Sequence, residues 1–303
     1  MKKLPKKIDL SIIILNYNSG SYLAKCLQSI YLSDIDQSKL DIIVPDNGSI
    51  DNSLELGKKI AKSNTQFYKI GSNTGFSAGN NYGVKYISPD TKYVLFLNVD
   101  TVVYPDTLNK IIKFFDSDLK VDSATCYVNK VVNNTLQPEC HRGFPTPWNA
   151  FCHFFLPFLP KFFPKSKLFN GYFLGHLDYS KIQRIDCCVG AFFMMKYSVG
   201  QKVGWWNEKY FFKGEDLDFC YKLKINNFKL FFYPFCKIDH YEGVSSKTSN
   251  RENKLKIAKA STKAMRIFYQ ENLIKNYSAF WQFIVWQGIN ILEFYRLFKA
   301  KYL

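Results

Sequence analysis

The amino-acid sequence predicts an α/β protein built on a mainly parallel, doubly wound sheet flanked by helices. Three observations lead there. Short apolar runs rich in Ile, Val and Leu alternate with segments of helical periodicity through the N-terminal half, the βαβαβ order of a parallel sheet. The runs are continuously apolar rather than alternating, as strands covered on both faces are. Polar residues gather where consecutive runs end, at Asn16–Asn18, Asp46–Ser49, Asn73–Asn81 and Asn98–Asp100. Open sheets of this kind bind ligands outside the carboxyl ends of their strands.

The elements follow in order. Leu10–Leu15 reads as the first strand, and Ser21–Tyr31 as a helix with Leu23, Cys26, Leu27 and Ile30 on one face. Asp41–Val44 is the second strand, ending in the turn-rich Pro45-Asp46-Asn47-Gly48-Ser49. A helix is expected over Ser53–Lys62 and a third strand over Gln66–Ile70. Asn73–Asn81 is a glycine-rich turn leading into a helix near Tyr82–Tyr86, and Tyr93–Leu97 is a fourth strand. Later come a helix-like run over Phe219–Ile225 and strand-like runs at Lys229–Tyr233 and Phe235–Ile238. Phe144–Phe173 is aromatic, basic and broken by prolines, so it cannot be a regular spanning helix. It is expected to be a lid, a dimer contact or a surface that touches lipid. Residues 252–303 read as helices, and Tyr277–Phe298 with Lys299 and Lys301 resembles an interfacial amphipathic helix. Docking onto the domain or onto a partner in a homodimer explains that stretch equally well.

Composition bounds the classes. At 303 residues, 47% hydrophobic and 22% charged, the chain can bury a sizeable core and global disorder is disfavoured. A net charge of +16 draws the protein toward nucleic acid, anionic lipid or phosphorylated substrates. The eight cysteines form no CxxC pair, which favours a reduced, cytosolic setting over a disulfide scaffold or a cysteine metal site. No run of about 18 uninterrupted apolar residues occurs. The basic N-terminus precedes only a short apolar run, so neither a signal peptide nor a spanning helix is expected.

The chemistry is expected at Phe211-Phe212-Lys213-Gly214-Glu215-Asp216-Leu217-Asp218. Acids at the mouth of a helix complement its dipole; alternatively, one of them is a general base beside an aromatic wall. Gly75, Gly79 and Gly83 recur every four residues without forming a GxGxxG or Walker pattern. They suit either a backbone approaching a diphosphate or a tight helix-packing face.

In combination, SIIILNYN, DNGSIDNS, NTGFSAGNNYG, FLNVDT, VGAFFMMK, VGWWNEKYFFKGEDLDFCYKL and IDHYEGVSS resemble a family 2 inverting glycosyltransferase with the GT-A fold. The nearest likeness is to the bacterial rhamnosyltransferase-like branch, over roughly residues 8 to 250. The resemblance implies a GT-A domain over 1–250, with 144–173 as an insertion and 251–303 as a helical extension. It implies nucleotide-sugar contacts from Asn16, Tyr17, Asp46, Gly75, Asn80, Asn98, Gly190 and Ala191. Among these, Tyr17 would stack on the base and Asp46 would accept a hydrogen bond from it. Asn98-Val99-Asp100 takes the place of the DxD motif, so Asp100 with His240 would hold Mg²⁺ or Mn²⁺, with Asp239 ligating or orienting the histidine. Gly243 and Ser245, which flank His240 as in the family, strengthen that match. Trp205 and Trp206 would form part of an acceptor wall, with core packing an equal alternative. Asp216 would be the catalytic base, assisted by Glu215, while Asp218 would cap the following helix.

The implied activity is transfer of a sugar from a nucleoside diphosphate to a glycan or lipid-linked glycan. Rhamnose comes first and galactosyl, galactofuranosyl or other hexosyl transfer second. The implied setting is bacterial surface polysaccharide synthesis, such as O-antigen or capsule, in the cytoplasm or peripherally at the inner face of the cytoplasmic membrane. Three other classes stay open. A polyanion binder would account for the charge, but no nucleic-acid motif accompanies it, so no nucleic-acid partner is expected. A non-catalytic sugar-nucleotide binder and a nucleotidyltransferase are the others.

Overall fold

The computed structural model describes residues 8–117, 119–242 and 251–302. Its elements are, in order, β1 (Leu10–Ile13), α1 (Tyr22–Tyr31), β2 (Leu40–Asp46), α2 (Ser53–Ile60), β3 (Thr65–Lys69), α3 (Phe76–Val84), β4 (Tyr93–Leu97), β5 (Thr101–Val103) and α4 (Thr107–Phe115). Then follow β6 (Ser123–Lys130), β7 (Thr135–Leu136), α5 (Pro147–Phe154), α6 (Phe158–Phe162), β8 (Gln183–Arg184), β9 (Phe192–Lys196), α7 (Tyr197–Val203), α8 (Glu215–Ile225), β10 (Leu230–His240), α9 (Arg251–Phe268) and α10 (Ala279–Tyr302).

The continuous apolar runs become strands buried on both faces: every residue of β1, β2 and β4 is buried. The main path of the sheet runs β3-β2-β1-β4-β9-β6-β10-β5. β1 to β4 pair in parallel, as expected. The far half is mixed, because β9 lies antiparallel between β4 and β6, and β5 runs antiparallel to β10. That last pairing brings His240 opposite Thr101, one residue from Asp100.

Several boundaries differ from expectation: β2 runs on to Asp46, α2 ends at Ile60 and α8 begins at Glu215. β1 stops at Ile13, two residues short. α3 begins at Phe76 rather than near Tyr82. Gly75 supplies the turn into it with φ +88°, a region that favours glycine. Gly79 and Gly83 belong to packing: a Cβ on them would lie 2.5 Å from Leu15 and 2.9 Å from Ile13. Their absent side chains let α3 lie close against the sheet.

Phe144–Phe173 contains α5 and α6. Thr146 caps α5 by accepting the Asn149 N–H at 3.3 Å, and Pro147 occupies its first turn, where a missing N–H is harmless. α10 packs along α9, burying Ile289 and Leu292. No helix of the described residues is long and apolar enough to cross a membrane. All eight cysteines are buried and unpaired.

Candidate active site

The polar strand ends and α8 face one cavity of about 1970 Å³, larger than the usual range for a small-molecule site. Its floor comes from the ends of β1, β2 and β4, one side from the loop before α8, and the far walls from α5, α9 and α10.

On the β1–β2 side, Tyr17, Asn18, Asn47, Asn73 and Gly75 line the cavity. Asn47 pins the loop before α3: its Oδ1 accepts the Thr74 N–H at 2.9 Å, and its Nδ2 donates to the Gly75 carbonyl at 3.2 Å. A further bond, Phe76 N–H to the Phe211 carbonyl at 2.8 Å, ties that loop to the one carrying the acids. Asn16 and Asp46 do not line the cavity, contrary to expectation. Asn16 Nδ2 donates to Asp46 Oδ1 at 2.8 Å and to the Ser53 hydroxyl at 3.0 Å, so the two side chains tie β1 to β2 beneath the surface. Asn80 is also turned away; within α3 it donates to the Phe76 carbonyl at 2.9 Å. Gly190 lines the cavity. Ala191 lies fully buried behind it, and its carbonyl accepts the Asn98 N–H at 3.1 Å.

Asp100 and His240 meet where β5 pairs with β10. Asp100 Oδ1 is 3.3 Å from His240 Nε2, both residues are largely buried, and both line the cavity with Asn98. Gln137 Oε1 lies 2.8 Å from His240 Nδ1. That contact fixes the orientation of the ring and turns Nε2 toward Asp100, the edge that a cation shared with Asp100 would meet. Among the described residues no three His, Cys, Asp or Glu side chains gather as a metal cage. One carboxylate and one imidazole with its outer nitrogen held do fit an ion that takes further ligands from substrate phosphates. Asp239 plays no part in holding His240, because its carboxylate accepts from Asn129 at 2.7 Å and Tyr104 at 3.2 Å. Gln137 occupies that place instead. Gly243 and Ser245 lie outside the described residues.

α8 brings Glu215 and Asp216 to the cavity wall beside the aromatic rings of Phe211 and Phe212. Its N-cap is Gly214 at φ +86°, so Asp218 is not the cap. Asp218 sits one turn in, buried, accepting from Asn272 Nδ2 at 3.1 Å. Asp216 Oδ2 pairs with Arg142 Nη2 at 2.6 Å, and its Oδ1 accepts the Leu217 N–H at 2.8 Å. Burial pushes the Asp216 carboxyl above the usual aspartate value while the Arg142 guanidinium pulls it back. Burial first, and the Asp216 charge second, push Glu215 up to about 8. Its Oε2 is buried without a hydrogen-bond partner.

Trp205 and Trp206 belong to the core rather than to a cavity wall. Trp206 is 2% exposed and meets Phe96, Phe193 and Phe219 edge-on or tilted. Trp205 packs against Tyr197.

Sequence reasoning missed Arg142 and Gln137. Both lie near the start of the proline-broken stretch, far along the chain from the residues they touch. The one visible signal was an arginine in a stretch otherwise poor in charge, His141-Arg142-Gly143-Phe144.

Residues 11–204 match the profile of a family described as Glycosyl transferase family 2. The chain is similar to rhamnosyltransferase WbbL of Escherichia coli K12, with 27% identity over 236 residues, 76% of this chain and 82% of that one. It is similar to low-salt glycan biosynthesis hexosyltransferase Agl10 of Haloferax volcanii, with 25% identity over 226 residues, 73% of this chain but only 64% of that one. Among solved structures, mannosyltransferase PcManGT from Pyrobaculum calidifontis, in complex with GDP-Man and Mn²⁺, superposes with a TM-score of 0.58 at 14% identity, covering 89% of this chain and 68% of that one. This likeness shows the GT-A fold.

Proposed function

The chain belongs to glycosyl transferase family 2, and from that premise we propose that it transfers a hexosyl unit, with inversion, from a nucleoside diphosphate to a glycan or lipid-linked glycan. The observation that carries the reading is the convergence on one cavity of an Asp100–His240 pair and a buried acid pair on α8. Diphosphate departure and hydroxyl activation need those two groups on opposite sides of an anomeric carbon.

In this reading Asp216 removes the proton from the acceptor hydroxyl while that oxygen bonds to the anomeric carbon. The bond from that carbon to the diphosphate breaks, and the electron pair leaves with the nucleoside diphosphate. Arg142 keeps Asp216 ionised in its buried setting. Glu215, protonated at neutral pH, donates a hydrogen bond that orients the acceptor. Tyr17 stacks on the base, and the backbone at Gly75 and Gly190 leaves room for the diphosphate and sugar. Asp100 and His240 would hold Mg²⁺ or Mn²⁺, which would supply positive charge to offset that of the departing diphosphate. Rhamnose is the first donor sugar by likeness to rhamnosyltransferase WbbL, and a glycan is the product class by likeness to the glycan-biosynthesis hexosyltransferase Agl10. Residues 1–250 form the transferase domain and 251–303 a helical extension. The unpaired cysteines suit the cytoplasm, with peripheral contact at the inner face of the membrane.

The test is nucleoside diphosphate release from a panel of sugar nucleotides, with Mg²⁺ or Mn²⁺ and again with chelator. Release from one donor, abolished by chelator, is the expected result. Absence of both release and binding for every donor in the panel would overturn the reading.

A further inference from the structure

The acids of α8 are held by a part of the chain that comes well after them. Their loop, residues 207–218, is met at three points by α9 and the turn that follows it. At the near end, Glu271 Oε2 accepts from Asn207 Nδ2 at 2.9 Å, and Glu271 Oε1 pairs with Lys209 Nζ at 2.5 Å. In the middle, Ala264 of α9 covers Gly214: a Cβ on that glycine would lie 2.9 Å from the Ala264 Cβ, at a φ of +86°. At the far end, Asn272 Nδ2 donates to Asp218 Oδ1 at 3.1 Å. Glu215 and Asp216 stand between the last two points.

The two sides of this contact are unlike in character. Glu271 and Asn272 are neighbours in Tyr269–Leu273, a single π-helical turn. Such turns are rare and recur at functional sites. Tyr269 and Leu273 are buried and seat the turn in the core. Opposite, Asp218 is 2% exposed, so its carboxylate depends on whatever donors the fold supplies. The Tyr210 hydroxyl is 3.4 Å from Oδ1 and Lys222 Nζ is 3.8 Å from Oδ2, which has no hydrogen-bond partner. Asn272 is closer than either. The Lys209–Glu271 pair is partly exposed and adds little stability alone; its weight lies in where it grips, at the entry to the loop.

We propose that Glu271 and Asn272 are positioning residues for transfer: they brace residues 207–218 so that Glu215 and Asp216 keep their aim on the acceptor hydroxyl. A base displaced by a fraction of its reach loses rate without losing substrate. The word transfer rests on the glycosyl-transfer reading, whereas the brace is measured on the chain without substrate, so the two can fail separately.

The experiment compares the full chain with Asn272→Ala, Glu271→Gln and the exchanged pair Asp218→Asn/Asn272→Asp. Amide hydrogen exchange is followed without substrate, and steady-state kinetics with donor and acceptor. In Asn272→Ala, amides of residues 207–218 should exchange roughly tenfold faster, as loss of one hydrogen bond to a charged group implies, while those of β1, β2 and β4 keep wild-type rates. Its kcat should fall about 10- to 100-fold with the donor KM within about twofold of wild type. The exchanged pair restores the bond with donor and acceptor reversed, so it should recover most of the lost kcat. A merely stabilising bond would lower the melting temperature and leave kcat of the folded chain unchanged. That outcome, wild-type exchange over 207–218, or an exchanged pair as slow as Asn272→Ala would overturn the proposal. Should Asn272→Ala not fold, Glu271→Gln decides by the same two readouts. Should the wild-type chain transfer from no donor, exchange alone decides: acceleration confined to 207–218 supports the brace, and acceleration spread evenly over the chain overturns it.

Discussion

Asp216 and Arg142 are 74 positions apart in the chain and 2.6 Å apart in space. That pairing sets the first predictions. Asp216→Asn keeps the shape and removes the basicity, so transfer should fall by about 10² to 10⁴ with donor affinity retained, as kcat and a donor binding assay would show. Removing Arg142 strands a buried carboxylate, so Arg142→Ala should cost about 3–5 kcal/mol in urea unfolding. Arg142→Lys should recover part of that, because it restores charge without the planar fork. Glu215 has a value of 4.5 unfolded and about 8 folded. Between those limits the folded chain holds the extra proton, so this residue's contribution to stability is fully present below about pH 4.5 and is lost as pH rises through 8. Wild type should therefore lose stability relative to Glu215→Gln across that window, by at most about 1.4 kcal/mol per pH unit, read from paired urea titrations. Glu215 and Asp216 were singled out in the sequence as acids clustered at a helix mouth, and Asp100 and His240 through the family resemblance; the fold places all four on one cavity. Arg142 and Gln137 were not singled out, because their meaning lies wholly in contacts that only the fold creates.

At the scale of elements, the loop before α3 and the loop before α8 behave as one piece. Gly75 is where they touch: a Cβ there would lie 2.5 Å from the Phe211 carbonyl oxygen, at a φ of +88°. Gly75→Ala should cost about 1–3 kcal/mol in local strain and raise the donor KM more than it lowers kcat. Steady-state kinetics with a thermal melt would separate those effects; an unchanged KM would sink the idea that this loop contacts donor. Periodicity placed β1, β2 and β4 well, since continuous apolar runs have few alternatives. It misjudged the start of α3, because glycine and asparagine mask a helix whose glycines serve close packing. The sequence left Trp205 and Trp206 open between an acceptor wall and the core, since a buried aromatic and a sugar-stacking one look alike until their neighbours are known.

At the scale of the molecule, the strand order could not be read from the chain, because β9 enters the sheet after a long excursion and runs against its neighbours. The +16 charge was legible but ambiguous. If that charge helps hold the protein on a bilayer, sedimentation with anionic vesicles should weaken steadily as added salt shortens the screening length to about 8 Å near physiological strength. Salt-independent sedimentation would instead assign the attachment to the exposed apolar side chains of α10 alone. The division of the cavity among distant segments has one more consequence. Apart from His240, the strand-end residues lie within 11–204, the span matched by the family profile, whereas the cavity's far wall is built largely by helices that follow it. The two halves of specificity are thus encoded in separable stretches of chain. Grafting foreign terminal helices onto this sheet should yield chimaeras with the old choice of sugar and a new choice of recipient.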